Sequence, residues 1–376
     1  MEIVVAGHLC LDIIPNWQAG SLASIKPGAM IQVQGLKFST GGAVSNTGIA
    51  LKRLGFAPRL MACTGDDHLG SIVRSILRRE GVNPDRIASV EGATTSYTIV
   101  LNPPGTDRAF IHYPGTNDTF AADAVDLRGL EPGVFHLGYP PLMRELYIAE
   151  GINLEAIFRR AKQGGWITSL DMALPDPHSE AGQAPWRRIL ARVLPQVDFF
   201  LPSLDEILFM LDQDTFYAVQ SGSRPITAEL LDGLSGELLD MGAGAVGLKL
   251  GDQGLFLRTG AGIGGRLGEK WANRQLLSPI FQVDVQGTTG AGDTTIAGFL
   301  AGVALGMDPA EVVTLANGVG ACCVETLSAI EGIPSLQEVQ ARIQRGWRRV
   351  LPTIPHPGWR AAQDGVLYGP MDQGEW

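Results

Sequence analysis

Short apolar runs alternate along this chain with longer stretches whose apolar residues return every three or four positions. The first run, Ile3-Val4-Val5-Ala6-Gly7, is apolar throughout, as a strand covered on both faces must be. Leu60–Cys63, Val134–Leu137, Trp166–Asp171, Val197–Leu201 and Ala245–Leu250 are of the same type. Helical spacing fills the intervals. It predicts a helix from the pair Gly41-Gly42 to Leu54, stopped by Gly55, and another from about Leu69 to Glu80, stopped by Gly81. Further helices are expected over 153–163, 186–194, 204–211 and 228–241. Such alternation predicts an α/β protein with a mostly parallel sheet flanked by helices on both faces.

Three segments depart from that rhythm. Residues 31–38 partly alternate, as a half-exposed antiparallel strand does, and 96–101 and 108–113 read as strands joined by the turn Asn102-Pro103-Pro104-Gly105-Thr106-Asp107. Together they predict a small separate sheet.

Composition narrows the class. With 376 residues, 45% hydrophobic and 18% charged, the chain can bury a full core, as a globular protein does. A net charge of -10 argues against nonspecific nucleic-acid binding, which needs a basic face. Cys10, Cys63, Cys322 and Cys323 show neither metal spacing nor a disulfide framework. The N-terminus opens directly into a strand and no apolar run reaches membrane-spanning length, so a cytoplasmic protein without a membrane partner is expected.

The chemistry concentrates in one stretch, Asp284 to Gly302. An apolar strand from Ile280 to Val285 is expected to run into a small-residue turn and then a helix. Gly290, Ala291 and Gly292 leave backbone N–H groups unshielded at the helix start, where they and the helix dipole favour an anion. Asp293 then has two readings: a helix cap, or a base that takes the proton of a hydroxyl attacking a bound phosphate. A second stretch, Gly41-Gly42-Ala43-Val44-Ser45-Asn46, opens a helix with a glycine pair that lets a ligand approach, and Asn46 lies about one turn in. Asp12 lies past the carboxyl end of the first strand, where open α/β sheets hold ligands. Gly242-Ala243-Gly244-Ala245-Val246-Gly247 spells a dinucleotide fingerprint but has its helix before and its strand after, the wrong order. A Walker-type loop is missing, since no Gly-Lys pair occurs.

The two glycine stretches, in this order and spacing, resemble the ribokinase-like (PfkB) carbohydrate kinase family. Gly65-Asp66-Asp67 with Gly70, and Gly251 with Gly254, fall in the family's order, and the likeness runs from residue 1 to about 345. It implies a doubly wound core with a small β-sheet lid, formed here by about 13–40 and 96–118, and transfer of the ATP γ-phosphate to a sugar or sugar-acid hydroxyl. On this chain it implies Asp293 as base and Gly290, Ala291 and Gly292 as anion hole. Asp12, Gly41, Gly42 and Asn46 would hold the substrate; Lys249, Gly251, Gly254 and Thr288 the nucleotide; and Glu206 the Mg²⁺. Asn46→Ala should then weaken the acceptor more than ATP.

Two departures stand out. Ser203 replaces the Asn of the family's Asn-x-x-Glu, and Gly287 stands where the family has an acid beside a K⁺ site, so little K⁺ dependence is expected. Asp284 would not substitute if the expected strand turns it to the opposite face. Tyr97, Arg108, His112, Tyr113 and Asn117 are the lid's candidates for acceptor contacts. A nucleoside kinase, or a catalytically silent sugar-binding protein, are the rival readings. The lid, with Ile31, Val33, Ile99 and Phe110 on one apolar face, is expected to close on substrate or form a homodimer. Residues 346–376, with Trp347, Trp359 and Trp376, read as an extension packed on the core or on a partner.

Overall fold

The computed structural model describes residues 1–17, 22–103, 109–327, 329–354 and 356–374. The predicted turn residues 104–107, Arg108 and Trp376 lie outside the described residues. A ten-stranded sheet forms the centre. Its parallel part runs in space Arg59–Met61, Ile3–Gly7, Val134–Gly138, Ile167–Leu170, Phe199–Phe200, Ala245–Lys249. Leu255–Thr259, Gln275–Ser278, Leu367–Tyr368 and Arg360–Ala361 then continue it antiparallel. The change of sense follows from chain length. Only a short turn at Gly251–Gln253 joins Lys249 to Leu255, too little for the crossover a parallel neighbour needs.

Both faces of the sheet are covered, as the apolar runs predict. Val4 and Ala6 point into one core with Phe135, Phe158 and Leu204, while Ile3 and Val5 point into the other with Leu51, Phe299 and Val319. That second core holds the helix pair Ala291–Ala304 and Pro309–Val324. The two approach so closely that a Cβ on Gly298 would lie 2.9 Å from Ala316 Cα. The small residues of the first helix therefore serve packing as well as the turn.

Across the carboxyl ends of the parallel strands stands a four-stranded lid, in the order Leu36–Gly41, Cys10–Pro15, Tyr97–Leu101, Ala109–Tyr113. The predicted small sheet is present, with one strand more than predicted. Cys10–Pro15 holds its centre, pairing parallel to Tyr97–Leu101 and antiparallel to Leu36–Gly41. The strand expected at 31–38 begins only at Leu36, because Asn16 and Gly35 close the loop ahead of it by a backbone hydrogen bond of 2.9 Å. Leu60–Cys63 splits: Arg59–Met61 edges the central sheet, and Cys63–Gly65 pairs with Ala88–Val90.

One correction matters for the site. Residues 280–285 form no strand; Phe281 makes a lone bridge to Arg349, and the rest is loop. Alternation therefore says nothing about Asp284, which is simply exposed. The extension also has a definite place. Its two short strands join the edge of the central sheet, Asp372 is buried against Arg274 Nε at 3.0 Å, and Trp347 stacks on Phe281 with ring centroids 4.5 Å apart. Among the described residues, no helix is long and apolar enough to cross a membrane.

Candidate active site

Strand order reverses at Ile3–Gly7, which has the next sheet strand, Arg59–Met61, on one side and the later strands on the other. Ligands of open α/β sheets sit beyond the carboxyl ends at such a point. The residues there are His8 after Ile3–Gly7, Tyr139 after Val134–Gly138, Asp171 after Ile167–Leu170, and Lys249 closing Ala245–Lys249.

Asp293 is the centre of this group. Its helix starts from Gly290, whose backbone is left-handed at φ 78°, so Asp293 is the third helical residue and does not cap. Its side chain is 2% exposed. Oδ2 accepts from Asn46 Nδ2 at 2.9 Å, and Oδ1 accepts from the Tyr139 hydroxyl at 2.8 Å. Tyr139 reaches it from a backbone φ of 67°, uncommon for a bulky side chain and costing about 1–3 kcal/mol. Burial pushes the Asp293 carboxyl above its usual range, against the pull of Asn46, Tyr139 and Lys249. At the helix start the Ala291 N–H is already committed to Thr288 O at 3.2 Å. The amides of Gly292 and Asp293 are the ones that helix geometry leaves for an anion, and Lys249 Nζ lies 3.7 Å from the position a Cβ of Gly292 would take.

Lys249 is enclosed by acids. It is ion-paired with Asp171, and Glu206 and Asp293 also act on it. Burial pulls its ammonium down, but the acids outweigh this and hold it above the ordinary lysine range. Burial likewise raises Asp171 and Glu206, since one cation cannot neutralise three carboxylates. Glu206 also closes a capping box: its Oε2 accepts from Ser203 N at 2.7 Å, and Ser203 Oγ accepts from Glu206 N at 3.2 Å. Serine at 203 thus keeps the helix Leu204–Leu211 capped.

On one side of Asp293 opens a cavity of about 340 Å³, large enough for a small ligand. Of the residues singled out from sequence, Lys249, Gly251, Gly254, Thr288, Ala291 and Gly292 line it. Ile280, Phe281, Val283 and Val285 add apolar lining. On the other side lies the lid, whose register sorts its residues by period two. Ser39, Asp12, Thr98 and His112 form one rank; Phe38, Ile13, Ile99 and Ile111 form the next, on the opposite face. The expected apolar face needs correcting: Phe110 pairs with Val100 and so lies on the face opposite to Ile99, and Ile31 and Val33 belong to no strand.

Asp12 rests against Gly41, where an added Cβ would stand 2.5 Å from its Oδ2. Burial raises its carboxyl to about 6, opposed by a bond from Cys10 Sγ. Asn117 holds the backbone of Leu9 by two bonds, at 3.3 and 3.1 Å, and is structural. The Tyr97 and Tyr113 rings pack at a tilt with centroids 5.5 Å apart, on the face away from His112. The structure thus brings Lys249, Gly251, Gly254 and Thr288 together at the cavity, Asn46 onto Asp293 and Asp12 against Gly41, and it adds Tyr139, Asp171 and His8, which sequence reasoning did not single out. His8 and Tyr139 follow predicted strands and Asp171 ends one. The carboxyl-end rule that singled out Asp12 applied to all of them.

A doubly wound sheet, a small lid and a buried carboxylate beside an anion-receptive helix start define a small-molecule kinase. The chain belongs to the pfkB family of carbohydrate kinases, whose profile matches residues 1–336. It is 28% identical to an uncharacterized sugar kinase of Archaeoglobus fulgidus, over 76% of this chain and 98% of that protein. It is 27% identical to a probable fructokinase-4 of Arabidopsis thaliana, over 91% of this chain and 96% of that one. A putative ribokinase II from E. coli, solved with ATP and Mg²⁺, shares the fold at a TM-score of 0.67, with 23% identity, 92% of this chain covered and 99% of the other.

Proposed function

We propose that this kinase transfers the γ-phosphate of ATP to a primary hydroxyl of a small sugar, with Asp293 as general base. The observation that carries the reading is the carboxylate of Asp293, buried and held by Asn46 and Tyr139 between the cavity and the polar rank of the lid. ATP would lie in the 340 Å³ cavity, with its phosphates toward Lys249 and the Gly292 and Asp293 amides. The acceptor oxygen attacks the γ-phosphorus, its proton passes to Asp293, and the bond to the β-phosphate oxygen breaks, releasing ADP. The positive helix start and Lys249 stabilise the charge on the transferring group.

The residues present suit Mg²⁺ carried mainly by the nucleotide. No group of three His, Cys, Asp or Glu forms a metal cage among the described residues, whereas Asp171 Oδ2 is buried without a partner. Mg²⁺ keeps several waters and takes one or two carboxylates, so Asp171 and Glu206 are the residues to hold it, through water. The ion would draw charge from the phosphate oxygens.

The test is ADP release with sugars, sugar acids and nucleosides as acceptors, for wild type and Asp293→Asn. Asp293→Asn should retain ATP binding and lower kcat by about 10²–10⁴. Wild-type turnover in the variant would refute the assignment of the base.

A further inference from the structure

His8 is 3% exposed, and neither ring nitrogen has a hydrogen-bond partner among the described residues. Buried polar groups are nearly always paired, and one left unpaired costs about 1–3 kcal/mol. The ring is well fixed. His8 N donates to Gly138 O at 3.3 Å, and Asn117 clamps the backbone of the next residue, Leu9. Gly42, at φ 90°, leaves just the space the ring needs, since a Cβ there would lie 2.4 Å from His8 Nδ1. Burial first, and His112 second, hold the imidazole neutral, down at about 3.

The surroundings of His8 are those of the proposed acceptor site. Its ring centroid lies 6.1 Å from that of Tyr139, whose hydroxyl is on Asp293, and 5.4 Å from that of His112 on the lid. His112 Nδ1 shares a 2.9 Å hydrogen bond with Thr98 Oγ1, and Thr98 stands beside Asp12 in the polar rank. His112 is exposed, so this seam between core and lid is open to solvent at one end. Among the described residues, the groups gathered around His8 are two neutral imidazoles, hydroxyls and the carboxyls of Asp12 and Asp293; the nearest cation, Lys249, is already ion-paired with Asp171.

We propose that His8, with His112 across the seam, reads neighbouring hydroxyls of the acceptor, and that the acceptor is an uncharged sugar or polyol. This rests on the kinase reading above. A neutral imidazole offers one donor and one acceptor, a match for a hydroxyl and a poor match for a carboxylate or phosphate, which the nearby carboxyls would also repel. The unpaired nitrogens of the free protein are then satisfied on binding, which makes His8 a residue kept for recognition at the expense of stability.

Opposite effects on stability and binding test this. His8→Phe keeps a ring of similar size and removes both unpaired nitrogens, so it should raise the Tm of the free protein. The same change should raise KM for the acceptor at least ten-fold, with KM for ATP unchanged; His8→Gln should recover part of the loss. Acceptors are D-fructose, D-ribose and myo-inositol as neutral probes and D-gluconate as the anionic one, each with MgATP. Turnover of neutral probes only, with these shifts, supports the proposal. Turnover of D-gluconate alone overturns the substrate class and leaves the kinase standing. A lower Tm with an unchanged acceptor KM makes His8 structural. No ADP release above the acceptor-free blank with any probe, anionic or neutral, counts against the kinase reading and removes this inference with it.

Discussion

Asn46 and Tyr139 divide the carboxylate of Asp293 between them, one donor to each oxygen, and so fix its orientation before any substrate arrives. A hydrogen bond to a charged group contributes about 1.5–3 kcal/mol, so Tyr139→Phe should lower kcat by about ten-fold or more. Its pH profile should change as well. Burial raises the Asp293 carboxyl and the Tyr139 bond opposes that rise, so removing the hydroxyl lets it climb further. A base must be ionised, and the acid limb of kcat should therefore move to higher pH in Tyr139→Phe; an unmoved limb would assign Tyr139 to packing alone. Asn46→Ala, expected from sequence to weaken acceptor binding, is now expected to act mainly on kcat, because its amide is spent on Asp293. Asp12 gives a separate signature in stability. Its folded value, about 6, exceeds the ordinary 3.8, so the folded state holds the proton more tightly than the unfolded state between those values. Stability contributed by this proton is present below about pH 4 and is lost as pH rises through about 6. Asp12→Asn should flatten the pH dependence of Tm across that window.

At the scale of elements, the chain beyond the matched region packs on a residue that lines the cavity proposed for ATP. Phe281 lines the cavity, Trp347 stacks on it, Arg342 lies over the Trp347 ring at 3.6 Å and Arg349 over Phe281 at 4.6 Å. An aromatic pair contributes about 0.5–1.5 kcal/mol beyond burial, so Trp347→Ala should raise KM for ATP by about two- to ten-fold and leave the acceptor KM unchanged. Equal changes in both constants would mean general loosening. The lid shows what register does to an element. A slip of one residue would carry His112 and Thr98 to the outer face and bring Ile99 and Ile111 over the acceptor.

For the whole molecule, the outer face of the lid remains the open question of assembly. Phe38 and Ile111 are 37% and 56% exposed, Ile13 and Ile99 lie between them in one rank, and the helix His68–Arg79 packs on the strands Cys10–Pro15 and Leu36–Gly41. We expect a homodimer through this rank. Sedimentation should show a concentration-dependent dimer that Ile111→Asp converts to monomer; a monomer at all concentrations would show that the rank stays bare. Loss of K⁺ dependence is expected at the same scale. Gly287 supplies no carboxylate, and Asp284 is exposed on a loop. Rates in KCl, NaCl and a bulky organic cation chloride should agree at equal ionic strength, and a several-fold gain in KCl alone would contradict this.

Local patterns determined most of the architecture. Runs such as Ile3–Gly7 are apolar at every position because both sheet faces are covered, and helices such as His68–Arg79 repeat at the spacing that one buried stripe requires. The glycine stretches pointed to Asp293 and Asn46, and the space that Gly41, Gly42 and Gly290 leave is taken by Asp12, His8 and Ala329. Tertiary structure decided what local pattern could not encode. Cys10–Pro15 became a strand because Tyr97–Leu101, far along the chain, offered it an edge. Ile280–Val285 did not become one, because only the stretch around Phe281 finds a partner, Arg348–Val350, and beyond it Asp284 and Val285 are exposed. Tyr139, Asp171, Lys249 and His8 acquired their chemistry only when the strands were ordered side by side. Distant along the chain, they meet at the carboxyl ends of strands of one sheet, where Lys249 pairs with Asp171 and the rings of His8 and Tyr139 lie 6.1 Å apart, and burial there shifts the acidity of each group. Sequence names such residues; the fold alone makes them neighbours.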